Sequence, residues 1–143
     1  MATKDALFAA YDGFHRNVTN KVCHFIGIPL IVATLIGLLL RWDFFTVGRF
    51  GVSAGYLVLA GATLFYLVIA PSLALPMLAV SAFLGTLGRV MPLWWAVGLF
   101  VLGWVFQFVG HLGYEKKSPA FLTNAGHLLI GPLWVLEAAM GRR

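Results

Sequence analysis

The chain has 143 residues, 61% of them hydrophobic and only 10% charged, with a net charge of +5 and a mean hydropathy of +0.91. That composition excludes an ordinary water-soluble domain and marks an integral membrane protein. The positive charge forms no basic stripe with interleaved aromatics, so nucleic acid is set aside as a partner and the Lys and Arg residues are read as flanking membrane spans.

The N-terminal stretch MATKDALFAAYDGFHRNVTNK lacks the apolar core and small-residue cleavage site of a secretory signal, so the N-terminus is expected to be retained. Within it Leu7, Tyr11, Phe14 and Val18 recur at helical spacing and predict a short amphipathic helix lying at the interface. On one continuous helix His15 and His24 would face opposite ways, ~13 Å apart. Asn17, Thr19 and Asn20 are poor helix-interior residues, so a break is expected near Val18, Thr19 and Asn20, with Asn20 capping a span that opens at Lys21. The lone Cys23 reads as a small buried hydrophobe.

Four apolar segments follow, roughly 24–40, 50–70, 72–88 and 92–111. They predict an all-α fold in a single transmembrane domain over 1–143, an integral membrane four-helix bundle joined by short links at 41–43, 71–72 and 89–92. Pro71 leaves the second boundary open: a long second helix could precede a shorter, tilted or partly re-entrant third, distorted by Pro76. Gly51, Ala54, Gly55, Ala60, Gly61 and Ala62 are expected to let the second span pack closely on a neighbour. After the fourth span Ser118 can cap a helix beginning at Pro119. The run from His127 to Met140 is only about half a hydrocarbon core long and is interrupted by Gly131 and Pro132, which predicts an interfacial or re-entrant helix.

Lys4, Arg16, Lys21, Lys116, Lys117, Arg142 and Arg143 fall on one side of this arrangement, and Arg41, Arg49 and Arg89 on the other. The excess puts both termini in the cytoplasm. The short loops point to a bacterial inner membrane, or to the endoplasmic reticulum in a eukaryotic cell. An even number of crossings brings His15, His24, His111 and His127 to one face, whereas an odd number would separate the two pairs.

Imidazoles grouped at one membrane edge, in a chain with few other ionisable groups, point to a metal site rather than to rings resting at headgroup level. Without thiolates they suit iron, zinc or copper. Gln107, His111 and Glu115 stand at i, i+4 and i+8, on one helical face. Gln107 is expected to hydrogen-bond within the protein. Glu115 could be a ligand, a group that orients a histidine, or an ion-pair partner of Lys116, Lys117 or Arg16. Glu137, near Arg142 and Arg143, reads as a surface or interfacial carboxylate.

Two motifs carry a resemblance. Tyr11-x3-His15-x-Asn17-x2-Asn20-x3-His24-x2-Gly27-x-Pro29, with Trp104-x2-Gln107-Phe108-x-Gly110-His111-x3-Glu115-x3-Pro119-Ala120, resembles the small membrane family of the yeast 2-hydroxy fatty acid dioxygenase. Between them, residues 41–100 are similar only in hydropathy. The resemblance implies an Fe(II)-dependent reaction with O2 in the bilayer, converting a long-chain 2-hydroxy fatty acid to the acid one carbon shorter with loss of CO2. It also implies His15, His24 and His111 as iron ligands or essential groups, while His127 as a ligand rests on topology. A 2-hydroxy carboxylate can chelate a metal through its hydroxyl and one carboxylate oxygen. Arg16, Lys21, Lys116 or Lys117 could offset its charge, and Asn17, Asn20 or Gln107 could bond substrate or orient imidazoles. Two other classes compete: a bis-histidine haem or electron-transfer protein using His24 and His111, and a metal-free small transporter or scaffold.

Overall fold

The computed structural model describes residues 3–142; Arg143, one of the basic residues weighed above, lies outside them. Among the described residues the chain is mostly helical: α1 (Lys4–Asp12), α2 (Val18–Leu39), a hairpin of β1 (Asp43–Val47) and β2 (Phe50–Ser53), α3 (Ala54–Ile69), α4 (Pro71–Val90), α5 (Leu93–Phe108), a π-helical stretch Val109–Glu115, a 3₁₀ turn Ala120–Leu122, and α6 (His127–Ala139). Among the described residues three helices are long and apolar enough to cross a membrane: α2 with 22 residues, α4 with 20, and α5 with its π continuation, Leu93–Glu115, with 23. At ~1.5 Å per residue each spans about 30 Å or more, the thickness of a hydrocarbon core.

The hairpin corrects the all-α expectation. Residues expected to open the second span instead form β2, leaving α3 only 16 residues long. Phe45 pairs with Val52 and Val47 with Phe50 across the two-residue turn Gly48-Arg49. Gly48, at φ 62°, supplies the positive angle this turn needs at its first position. Pro71 opens α4 at a position where a missing N–H costs nothing, and Pro76 does not shorten it.

By contacts along the backbone the chain falls into two compact units, one reaching to Pro29 and resuming at Leu102, the other Leu30–Val101. In the second unit the close approach is made by Gly37 and Gly88 rather than by the α3 glycines. A Cβ on Gly88 would meet the Ala33 carbonyl, and one on Gly37 would meet the Gly88 backbone. Of the expected small residues, Gly55 abuts Leu40 and Gly51, now in β2, abuts the Asp43 side chain, while Gly61 faces open space. Arg41 Nη2 donates to the Gly88 and Met91 carbonyls at the end of α4, a charge-assisted cap on orphan acceptors.

In the first unit Thr3 caps α1 by accepting from Ala6 N. Phe8 and Tyr11 are buried, whereas Val18, expected on the same stripe, is 75% exposed because α1 has ended before it. Lys4 Nζ donates to Glu137 Oε1 at 2.6 Å and Trp134 Nε1 donates to Asp12 Oδ1 at 2.8 Å, tying α1 to α6. Glu137 is therefore a buried, paired carboxylate and not a surface one, with its side chain 8% exposed. Helix α6 continues unbroken through Gly131 and Pro132. The helix expected from Pro119 is reduced to the single turn Ala120–Leu122.

Candidate metal centre

The break between His15 and His24 exists, but it falls at 13–17, before the expected 18–20. Asn17, not Asn20, starts α2: its Oδ1 accepts from Thr19 N at 2.8 Å, the usual way a first-turn donor is satisfied. His15 lies in the resulting loop and His24 nearly two turns into α2. His111 lies in the π-helical stretch, which Lys116 closes in a left-handed conformation, φ 54°. Isolated π-turns within α-helices mark functional positions because they re-aim side chains. On a regular α-helix Gln107, His111 and Glu115 would drift ~40° at each step of four residues; the wider turn rotates less per residue and draws Glu115 back.

His15, His24 and His111 each offer a ring nitrogen within 4.8 Å of the others', and all three are buried. Their ring centroids are 4.2 Å apart for His15 and His24, and 4.8 Å for each of these with His111. His15 Nδ1 lies 2.6 Å from the Tyr11 carbonyl and His24 Nδ1 2.8 Å from the Asn20 carbonyl. A carbonyl only accepts, so both Nδ1 atoms carry the proton and both Nε2 atoms present lone pairs. Those two lone pairs face each other at 2.9 Å. Two acceptors at that distance repel unless a cation or a proton lies between them. Imidazole metal ligands are commonly held this way, the far N–H given to a backbone carbonyl. His111 Nδ1 is buried without a hydrogen-bond partner, a further nitrogen free for a cation. The donor set fits a divalent transition metal. A haem would need two imidazoles on opposite faces of a flat ring; with His15 against both His24 and His111, no slot for one remains. Burial lowers the His15 pKa to about 4, against the raising effect of its Tyr11 hydrogen bond, keeping the ring neutral and ready to ligate.

His127 stands apart from this trio. Its ring lies 5.9 Å from that of Tyr11 and 5.8 Å from that of Phe14, and its Nδ1 is buried without a partner. Tyr11 stands between the two groups, stacked on His15 at 4.0 Å; its spacing to His15 was visible in the sequence but its role as a platform was not.

Around the trio, Glu115 accepts from Arg16 N at 3.1 Å, Asn17 N at 2.9 Å and Asn20 Nδ2 at 3.2 Å. Arg16 thus contributes its backbone, while its exposed side chain and that of Lys116 stand at the surface. Lys117 Nζ reaches the Gly13 carbonyl at 3.5 Å. Gln107 is buried, and a Cβ on Gly27 would strike its Nε2, which has no partner.

The family described as 2-hydroxy-palmitic acid dioxygenase Mpo1-like matches residues 1–143. The 2-hydroxy-palmitic acid dioxygenase MPO1 of Saccharomyces cerevisiae (strain ATCC 204508 / S288c) is 44% identical over 41 residues, which are 28% of this chain and 24% of the yeast protein. The match therefore spans about a quarter of that relative's length. No solved structure matches the chain.

Proposed function

This chain belongs to the Mpo1-like family, and we propose that it is a membrane-embedded, Fe(II)-dependent dioxygenase of long-chain 2-hydroxy fatty acids. The reaction is RCH(OH)COOH + O2 → RCOOH + CO2 + H2O, the four-electron oxidation of the acid matching the reduction of O2. The observation that carries this reading is the pair of Nε2 lone pairs of His15 and His24 turned on each other beside His111. These three imidazoles would hold the iron, with His127 the fourth candidate ligand. Held by these residues, iron would supply Lewis-acid and redox chemistry toward O2 and a 2-hydroxy carboxylate.

The remaining tasks fall to the protein. The Tyr11 and Asn20 carbonyls fix the tautomers of His15 and His24. Burial of the trio keeps bulk water from the reacting carbon. Arg16 and Lys116, exposed at the same edge, offset the approaching carboxylate. The alkyl chain stays with the bilayer beside exposed Val22, Phe25 and Ile26 of α2, where burial is worth about 0.8 kcal/mol per CH2.

His24 near the start of α2 and His111 near the end of α5 lie together, which supports an even number of crossings between the ends. Four crossings, with the 16-residue α3 as the short partner of α4, fit this count. In this arrangement α1 and α6 are interfacial. The excess of basic residues in the flanking segments supports a cytoplasmic location for both termini.

The test is metal analysis of detergent-purified protein beside His15→Ala, His24→Ala, His111→Ala and His127→Ala, each then given Fe(II), O2 and 2-hydroxypalmitate. The reading expects roughly one iron per chain in the parent, lost with the shortened acid in the first three variants. A parent protein that takes up no iron on reconstitution overturns it.

A further inference from the structure

Each imidazole of the trio is carried by a different local structure: a loop, an α-helix and a π-turn. One fully buried residue, Asn20, meets all three, through its backbone carbonyl at the helix of His24 and through its side chain at the loop and the π-turn. Its own carbonyl accepts from His24 Nδ1 at 2.8 Å. Its Nδ2 donates to the carbonyl of Phe14, the residue before His15, at 3.2 Å. The same Nδ2 donates to Glu115 Oε2 at 3.2 Å, at the end of the turn that carries His111. Its Oδ1 lies against Gly110, the residue before His111, where any Cβ would strike it. The amide orientation is fixed, because reversing it would point an oxygen at the Phe14 carbonyl and the Glu115 carboxylate, both acceptors. Its Oδ1 then has no donor, an uncommon state for a buried amide, and the oxygen is held there by the two bonds on the other side.

We propose that Asn20 is the positioning residue of the metal centre, joining the loop of His15, the helix of His24 and the π-turn of His111 so that three separately built segments present their nitrogens to one point. This inference rests on the metal reading above. A side chain that merely staples the 13–17 loop would affect stability alone. A positioning residue sets the affinity and the ligand field of the bound ion.

Co(II) serves as the probe, with its visible absorption reporting geometry and a titration reporting affinity, on the full chain in detergent. Asn20→Ala should weaken Co(II) binding about 10–100-fold and alter the absorption bands. Asn20→Asp should weaken it more, by setting a carboxylate against Phe14 O and Glu115. Adding Glu115→Gln to Asn20→Asp should recover part of the loss, because the new amide can donate to the new carboxylate. If an Asn20 variant does not fold, Gly110→Ala displaces Oδ1 with Asn20 in place and should produce the same spectral change. Folded variants that bind Co(II) as the parent does, with the parent spectrum, overturn the positioning role and leave the metal reading intact. A parent that binds no Co(II) through His15, His24 and His111 overturns both.

Discussion

The unit that carries the imidazoles and the unit from Leu30 to Val101 face the same difficulty, polar groups in an apolar setting, and resolve it differently. In the second unit hydroxyls turn back on their own helices, Thr34 to Leu30 O, Thr63 to Leu59 O and Thr86 to Ala82 O. Its helices approach through bare backbone at Gly37 and Gly88. That is packing by small residues, suited to lipid, and it leaves the helices regular. In the first unit polar groups answer one another across elements, as Glu115 does with Arg16, Asn17 and Asn20. There the helix gives way to a loop and a π-turn. Regularity suits the long apolar helices, and departures from it bring the imidazoles together.

The contrast can be broken most severely by making the first unit regular. Deleting Gly113, whose surroundings are open, should close the π-turn to an α-turn, swing Glu115 off Arg16 N and Asn17 N, and weaken metal binding by about 100-fold or more in a Co(II) titration. Acid acts on the same unit. His15 is held down to about 4 by burial, below its value of about 6.5 in an unfolded chain. Between those values the unfolded chain binds more protons, so the stability of metal-free protein should be full above pH 6.5 and fall toward pH 4, by on the order of 3 kcal/mol. Thermal unfolding in detergent across that range checks the sign, and a flat profile would remove the argument.

In the second unit the sensitivity should be steric. Gly88→Ala drives a methyl into the Ala33 carbonyl and should cost about 1–3 kcal/mol of stability without changing the metal content of the folded fraction. A smaller loss, about 1–2 kcal/mol, is expected for Lys4→Met, which leaves Glu137 buried and unpaired; Glu137→Gln in the same chain should recover part of it. Least of all, Gly61→Ala, facing open space, should stabilise α3 by about 0.5–1 kcal/mol. A Gly61→Ala protein as damaged as Gly88→Ala would mean that the α3 face is packed after all.

What the sequence disclosed follows the range of the forces involved. The gathering of His15, His24 and His111 was readable from the apolar segments that fold the chain back on itself, whereas His127, expected with them, stands apart. The need for a break between His15 and His24 was readable too, from helix geometry. Its position was not: Asn17 and Asn20 have the same capping chemistry, and the choice is made by Glu115, from the other end of the chain, which takes the N–H groups of Arg16 and Asn17. Glu137 was misread for the same reason, its partner being Lys4. The hairpin had a local signal, β-branched and aromatic residues around Gly48-Arg49, but continuous apolarity from Phe50 absorbed it into a span. The π-turn leaves no periodic trace in seven residues.

The ties of α1 to α6, Lys4 with Glu137 and Asp12 with Trp134, bear on how the protein is made. His15 and His24 leave the ribosome before the intervening helices, His111 after them, and the residues that hold α1 in place later still. Such long-range contacts form late in a chain synthesised from one end. The centre is thus completed only once α6 has been made, and a nascent chain stalled before α6 lacks the partners that tie α1 down.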